Sequence, residues 1–600
     1  MLWALFVVLL NWNAALGGEE PAAPVKIGPR AADPADYGIG GAVPDLSLNF
    51  LDGAAGKLSD YYGNAALVIA IASPDCPVAK KYAPRLAEIE KTYREKRVAF
   101  LLLSCSGDPA EAVREAMQRS GMSMPVVLDE KGSVARALHA KETTDVFVLG
   151  PSRKLLYRGA IDDQYGVGYE HDAPRQNFLT DALDAVLANR AVGMPATLAP
   201  GCELALDTAP AQSDRSNQPN AVTFHRDISP LMQRNCQECH RPNSSGPFSL
   251  LSFDDVKRKS RVIRRVVSTR AMPPWFADNS IGRAWANNRR LSDSDQKMLL
   301  DWIDANCPEG DVKDEPAPRI FAAGWTIGTP DAIVQIPKPV QIPAQGRLPY
   351  QYTKVATNFT EDKWVQAVEL RPTNPALVHH SQVFVITADG KEQWEPAPSD
   401  GGRPISYFAA MVPGETALVF PEGCAKLLPK GCTLMFEVHY SPNGAPAEDQ
   451  IRVGMIFAKT PPAFEVKSFD IRNGNLLIPP GVANYSQSAE YTFNTPARLL
   501  AFQPHMHLRG KAFSFELTFP DGRKEPVLSV PRYDFNWQIS YRLKEPWDIP
   551  KGAKLKVTGW FDNSKNNPAN PDPAQTVHGG GETTDEMLVG FGEWVALPEK

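Results

Sequence analysis

The sequence predicts a multidomain chain made of an α/β layer domain, a small all-α module and two all-β sandwiches. Three observations predict it. The chain has 600 residues, far more than the ~100–200 that one hydrophobic core organises. Its hydrophobic pattern runs from mixed strand and helix periods to a helical period, and then to short alternating segments. Polar linkers fall at those changes, at 205–221 and at PEGDVKDEPAP, 308–318. A net charge of −6, with no basic stripe interleaved with aromatics, argues against a nucleic-acid partner.

Residues 2–16, LWALFVVLLNWNAAL, form an apolar run followed by Gly17, Gly18, Glu19 and Glu20. This reads as a secretory signal peptide over 1–17, too short for the ~20 residues of a spanning helix. No later run is long and apolar enough to span. The mature chain is therefore expected to be periplasmic or secreted, without a transmembrane span. Residues 18–37, rich in Ala, Pro and Gly, make a lead-in. Over 42–200 the apolar runs ALVIAIAS, VAFLLLSC, DVFVLG and LLYRGAID alternate with helix-period stretches at 77–95 and 109–120, which gives the α/β domain. Over 222–308 the period is helical and closes with LSDSDQKMLLDWIDANC, where Ser292 or Asp293 serves as N-cap. The tail is made of short β-branched and aromatic segments punctuated by Pro and Gly. It divides near AKTPPAF, 458–464, into sandwiches at 320–460 and 465–597.

In the helical module Cys236, Cys239 and His240 spell CQECH, the attachment motif of a c-type haem. Two thiols bond the vinyl groups and the adjoining imidazole takes the iron. With 8 Cys and 10 His in the chain, chance supplies roughly 0.002 such motifs. Met272 in RAMPPW is expected as the sixth iron ligand, ahead of Met298, which has helical core spacing, and His225. The stretch KRKSRVIRRVVSTR, 257–270, either neutralises haem propionates, docks an acidic partner or is a solvated amphipathic face. By CxxCH and the later MPPW, the module resembles a class I cytochrome c.

Five of the ten histidines lie in three short elements of the tail: His379 and His380 in ALVHHS, His439 in FEVHYSP, and His505 and His507 in PHMHLRG. Neutral imidazoles suit copper, and the HxH spacing puts both rings on one strand face. Adjacent His379 and His380 need a bulge or a strand end to aim both rings inward. Motif by motif, the tail resembles the copper type II monooxygenases, the family of peptidylglycine alpha-hydroxylating and dopamine beta-monooxygenases. The resemblance implies a first copper on His379, His380 and His439, and a second, dioxygen-binding copper on His505, His507 and Met587 of TTDEMLVGF. It also implies two jelly-roll sandwiches. Gln503, Val589 and Phe591 stand where peptide-amidating members carry Arg, Asn and Tyr, so a glycine-extended peptide is not the expected substrate. Cys424 and Cys432, in GCAKLLPKGC, either close a disulfide or remain free buried thiols.

In SPDCPVAKKYAPRL, Cys76 follows an apolar strand and opens a helix, where the helix dipole favours the thiolate. With YRGAIDD, this resembles the thioredoxin-like redoxins over 42–200. Two departures stand out: Ala79 replaces the second Cys of CxxC, and Thr143-Thr144 replaces the usual Thr-Pro. Cys105 is then the expected resolving thiol, or the domain serves for docking. The leading expectation is an exported dicopper monooxygenase that takes a small-molecule substrate, O2 and electrons from an ascorbate-like reductant or redox protein, passed through haem c. The alternatives are a non-catalytic electron-transfer or copper-binding protein, or a thiol redox protein centred on Cys76.

Overall fold

The computed structural model describes residues 26–206, 221–390 and 407–599. The expected signal peptide and positions 207–220 of the first linker lie outside the described residues. No helix among the described residues is long and apolar enough to cross a membrane.

The N-terminal domain is built on β1 (Ala66–Ile71), β2 (Val98–Ser104), β3 (Val126–Leu128), β4 (Val146–Leu149) and β5 (Leu155–Gly159), in the order β3-β2-β1-β4-β5. β1 pairs parallel with β2 and antiparallel with β4. As the central strand, β1 is buried on both faces, which accounts for its unbroken apolar run ALVIAI. Its side chains alternate between two cores. Val68 and Ala70 meet α1 (Pro77–Arg94), α2 (Ala110–Ser120) and α4 (Phe178–Leu187), while Leu67, Ile69 and Ile71 meet α3 (Ser133–Ala137). Helix α1 has Cys76 as its N-cap and Pro77 in its first turn, and buries Val78, Tyr82, Leu86 and Ile89 on one face.

A helical module follows, with α5 (Ser229–Asn235), α6 (Phe253–Arg258), α7 (Ser260–Ser268) and α8 (Asp293–Asp304) around Phe224, Ile263, Leu299 and Trp302. Ser292 caps α8, its hydroxyl accepting from the Asp295 amide at 3.0 Å. The module is not self-contained. Trp275, Phe276 and Trp285 leave it to join the core of the second β half, and Trp275 meets Tyr541 edge-on at 4.9 Å.

The C-terminal region is β-rich. Its first half contains β6 (Ala332–Gln335), β7 (Gln351–Ala356), β8 (Lys363–Arg371), β9 (Val378–Ile386), β10 (Ala409–Met411), β11 (Cys424–Leu428), β12 (Thr433–Tyr440) and β13 (Arg452–Phe457). The second contains β14 (Phe464–Arg472), β15 (Tyr485–Thr492), β16 (Ala497–His505), β17 (Gly510–Thr518), β18 (Lys524–Val530), β19 (Tyr541–Ile549), β20 (Lys554–Phe561) and β21 (Val589–Ala596). A nine-stranded sheet crosses both halves as β6-β13-β8-β11-β14-β21-β16-β19, with Ala417–Val419 pairing off β8. Its two parts are joined by the parallel pairing of β11 with β14. Each part is covered by a four-stranded sheet, β7-β12-β9-β10 in the first half and β15-β20-β17-β18 in the second.

Cys424 and Cys432 do not form a disulfide; both are free and buried. Cys424 opens the extended β11 and Cys432 lies beyond its far end. Five strand residues at about 3.3 Å each carry the two apart by more than a disulfide's Cα separation of about 4.4–6.8 Å. The Cys432 sulfur instead lies 3.5 Å from the Thr357 hydroxyl.

Candidate metal centres and redox thiol

Among the described residues, the ring nitrogens of His379, His380 and His439 converge within 4.8 Å of one another. The pairing of β9 with β12 sets this up. Val378 faces Tyr440 and His380 faces His439, so His379 is the extra residue of a bulge, the irregularity that two adjacent inward rings require. The Nδ1 atoms of His379 and His380 stand 2.9 Å apart, within the roughly 2.8–3.3 Å separating two ligands of an ion bound at about 2.0 Å. The His439 Nδ1 is buried without a hydrogen-bond partner among the described residues. Three imidazoles with an orphaned nitrogen, and no carboxylate among the described residues hydrogen-bonded to them, fit a metal better than a proton. Tyr350 stacks on His439 at 4.7 Å, and Phe535 stacks on His379 at 4.9 Å.

His505 ends β16 and His507 follows, with their rings 5.2 Å apart. The His505 Nδ1 meets the Gln538 side-chain oxygen at 2.6 Å, and the His507 Nδ1 meets the Asp585 carbonyl at 3.3 Å. Both contacts place the ring proton on Nδ1 and leave Nε2 as the free ligand atom. The backbone of Met587 comes beside His507 through Glu586, whose carboxylate accepts from the amides of His507 (2.8 Å), Met587 (3.1 Å) and Arg509 (2.5 Å), and the Met587 side chain packs on the cluster of Val589 and Phe591. Burial lifts the Glu586 carboxyl to about 7. Gln503, facing Gln538, donates to its carbonyl at 2.8 Å. Phe535 also lies 6.0 Å from His507, so one ring stands between the two histidine groups.

Burial holds all five imidazoles neutral: His379 and His505 are brought down to about 4, His507 to about 3, and His380 and His439 well below the usual range. Neutral rings present lone pairs at neutral pH, as metal binding requires. Phe535, Tyr350 and Gln538 carry no signature in the sequence, since only the fold brings them to the histidines, whereas Glu586 lies beside Met587 in TTDEMLVGF.

Cys236 caps the end of α5, and the amides of Cys239 and His240 both donate to its carbonyl. His240 Nδ1 meets the Phe248 carbonyl at 3.2 Å, leaving Nε2 free, and burial pushes the Cys236 thiol up to about 12. Gly414 of the first β half packs on Cys239, where an added Cβ would lie 2.9 Å from its sulfur. Met272 sits half-buried after α7, its amide donating to Val266 at 3.1 Å. Met298 packs against the helical core. His225 stands between two carboxylates, Glu315 on its Nδ1 and Glu309 3.5 Å from its Nε2, which raise it and favour the protonated ring over an iron ligand.

Cys76 is 2% exposed. Burial disfavours its thiolate, but hydrogen bonds from the Cys202 thiol, the Thr143 side chain and the Ala79 and Cys202 amides outweigh it and bring the thiol down to about 6. Cys202 moves the opposite way, well above its usual value, chiefly through its bond to Cys76. Cys105, expected as the resolving thiol, belongs to the core on the other face of the sheet. Burial and nearby carboxylates push it far up. Over this thiol site lies the basic stretch of the helical module. Lys259 pairs with Asp75 at 3.0 Å, and Arg265 with Glu142 at 3.3 Å and the Gly201 carbonyl at 2.7 Å.

A model of the AhpC/TSA family matches residues 39–158. Residues 39–158 form an AhpC/TSA redoxin domain. Two curated relatives are thiol-disulfide oxidoreductases named ResA. That of Geobacillus kaustophilus is 25% identical over 111 residues, covering 18% of this chain and 63% of the relative. That of Geobacillus thermodenitrificans is 24% identical over 117 residues, covering 20% and 66%. The chain thus spans less than two thirds of the length of either. A crystal structure of a hypothetical protein from Sinorhizobium meliloti is similar at 23% identity and a TM-score of 0.27, covering 30% of this chain and 99% of that one. These matches concern the redoxin end of the chain, and the β-rich region carries no family assignment from them.

Proposed function

We propose that the β-rich region is a copper-dependent monooxygenase hydroxylating a C–H bond of a small organic substrate with O2, its electrons entering through a c-type haem in the helical module. The observation that carries this reading is the convergence of His379, His380 and His439, with the orphaned His439 Nδ1. His505, His507 and Met587 form the second ligand set, in the order of the resemblance noted above, with one set on each jelly-roll sandwich. Bound copper would supply one-electron storage at the first set and dioxygen activation at the second. The chain's own residues prepare both sets. Gln538 and the Asp585 carbonyl fix the tautomers of His505 and His507, Glu586 clamps Met587 beside them, and Phe535 and Tyr350 wall the rings. Cys236 and Cys239 would hold the haem covalently, with His240 and Met272 on its iron. An ascorbate-like reductant or a redox protein would be the external donor to an exported chain.

The test is a copper titration of the full chain with bound-metal analysis, followed by oxygen uptake against a panel of organic substrates. Two coppers per chain are expected, with one lost in His439→Ala and the other in His505→Ala. Two coppers persisting in both variants would overturn the reading, and copper bound without any oxygen uptake would mark an electron-transfer or storage protein instead.

The redoxin domain favours a second reading, a thiol-disulfide oxidoreductase centred on Cys76. The family match and the ResA relatives support this one alone. Its structural support is a helix-capping thiol brought down to about 6. Cys76→Ser is expected to abolish thiol exchange while both coppers still bind; exchange that survives in that variant excludes this reading.

A further inference from the structure

The segment 200–204 returns to the redoxin domain and zips onto the loop 141–144. The Thr143 amide donates to the Cys202 carbonyl at 2.9 Å, the Cys202 amide to the Thr143 hydroxyl at 3.0 Å, the Thr144 hydroxyl to the Pro200 carbonyl at 2.7 Å, and the Leu204 amide to the Lys141 carbonyl at 2.8 Å. The approach is close enough to require glycine at 201, where a Cβ would lie 2.9 Å from the Thr144 hydroxyl and 3.1 Å from that of Thr143. The result places the Cys202 thiol in hydrogen-bonding contact with Cys76. Both sulfur-bearing residues and Thr143 line one small cavity of about 20 Å³, room for about one water molecule. Cys202 lies beyond the residues 39–158 that match the family. The second sulfur, missing at Ala79, is therefore supplied by a later part of the chain.

We propose that Cys76 and Cys202 are a dithiol that closes reversibly to a disulfide, with Cys202 resolving the mixed disulfide that Cys76 forms with a low-molecular-weight disulfide. This rests on the thiol reading of the redoxin domain and adds its second sulfur. In the first step the Cys76 thiolate attacks one sulfur of the substrate; a Cys76–substrate bond forms, the substrate S–S bond breaks and one substrate thiolate leaves. In the second, Cys202 loses its proton and attacks the Cys76 sulfur. The Cys76–Cys202 bond forms and the second substrate thiolate departs. Two electrons pass from the pair to the substrate, which leaves as two thiols. Phe248, Arg258, Lys259 and Val262 of the helical module close the other side of the cavity. A reagent therefore enters only when that wall moves, whereas closure within the pair needs no such movement.

The full chain is treated with oxidised glutathione, alkylated and peptide-mapped. The wild type is expected to yield the Cys76 and Cys202 peptides joined by a disulfide, and Cys105→Ser to give the same product. Cys202→Ser should lose the joined peptide and retain a glutathione adduct on Cys76. If the wild type also retains that adduct, or joins Cys76 to Cys105, the role of Cys202 fails while the thiol reading stands. If Cys76 stays unmodified in every variant, including a Lys259→Glu variant that loosens the wall, the thiol reading itself fails.

Discussion

Thr143 touches both sulfur-bearing residues of the redoxin domain, bonding the Cys76 thiolate with its side chain and accepting from the Cys202 amide. A hydrogen bond to a charged group contributes about 1.5–3 kcal/mol, or roughly one to two pH units on the acceptor. The thiolate absorbance of Cys76 is expected to titrate near pH 6 in the wild type and one to two units higher in Thr143→Val. The sign follows from the folded value lying below that of a free thiol. The thiolate stabilises the fold above the free-thiol range, and that contribution is lost as pH falls through about 6. An unchanged midpoint in the variant would show that Thr143 does not hold the thiolate. A second single-residue effect concerns Gln538, which fixes the His505 tautomer. Gln538→Leu should weaken the second copper by about 10–100-fold and leave the first unchanged, read from a two-site titration. The five clustered histidines and Cys76 were legible in the sequence because each residue type sits in a short motif. Gln538, Tyr350 and Cys202 were not, because they meet the sites only through loops that the fold brings back.

At the scale of elements, the adjacency of His379 and His380 already demanded a break in strand period, and β9 supplies it by bulging opposite the junction of His439 and Tyr440. The α/β alternation was equally readable, because a central strand buried on both faces needs the continuous apolar run seen in β1. The period shows a small all-α module but not that Trp275, Phe276 and Trp285 serve the neighbouring β core. Aromatic content alone does not say which core an aromatic fills. Glu586 ties two elements together, holding the segment after β16 against the lead-in to β21 through the amides of His507 and Arg509, and it also accepts from the neighbouring Met587 amide. Glu586→Ala leaves those amides without a buried acceptor, at about 1–3 kcal/mol for each unsatisfied group. Its expected outcome is loss of the second copper, with the first retained and the melting temperature lowered. Retention of both coppers would show that Met587 is held without the clamp.

At the scale of the whole molecule, the redoxin thiols lie under the helical module, and the contact is electrostatic. Lys259 reaches Asp75 at 3.0 Å and Asp108 at 3.8 Å, Arg265 reaches Glu142 at 3.3 Å, and Arg261 reaches Glu203 at 3.5 Å. Burial raises the carboxyls of Asp108 and Glu142, the latter to about 8, while the cations that face them, Lys259 and Arg265, pull the other way and favour the charged form. The same module places Phe248 on the wall of the thiol cavity and uses its carbonyl to orient His240. One residue therefore borders both the thiol pair and the CxxCH histidine. Reversing charge with Lys259→Glu and Arg265→Glu sets like charges against each other across this contact. A loss of about 1–2 kcal/mol in docking raises the open population roughly 5–30-fold. Cys76 should then be alkylated faster by that factor in the double variant, with copper content unchanged, and raised salt should accelerate the wild type in the same direction. An alkylation rate that ignores both charge reversal and salt would mean that the cover opens by a route independent of α7. Control of thiol access would then have to be sought in the redoxin domain itself.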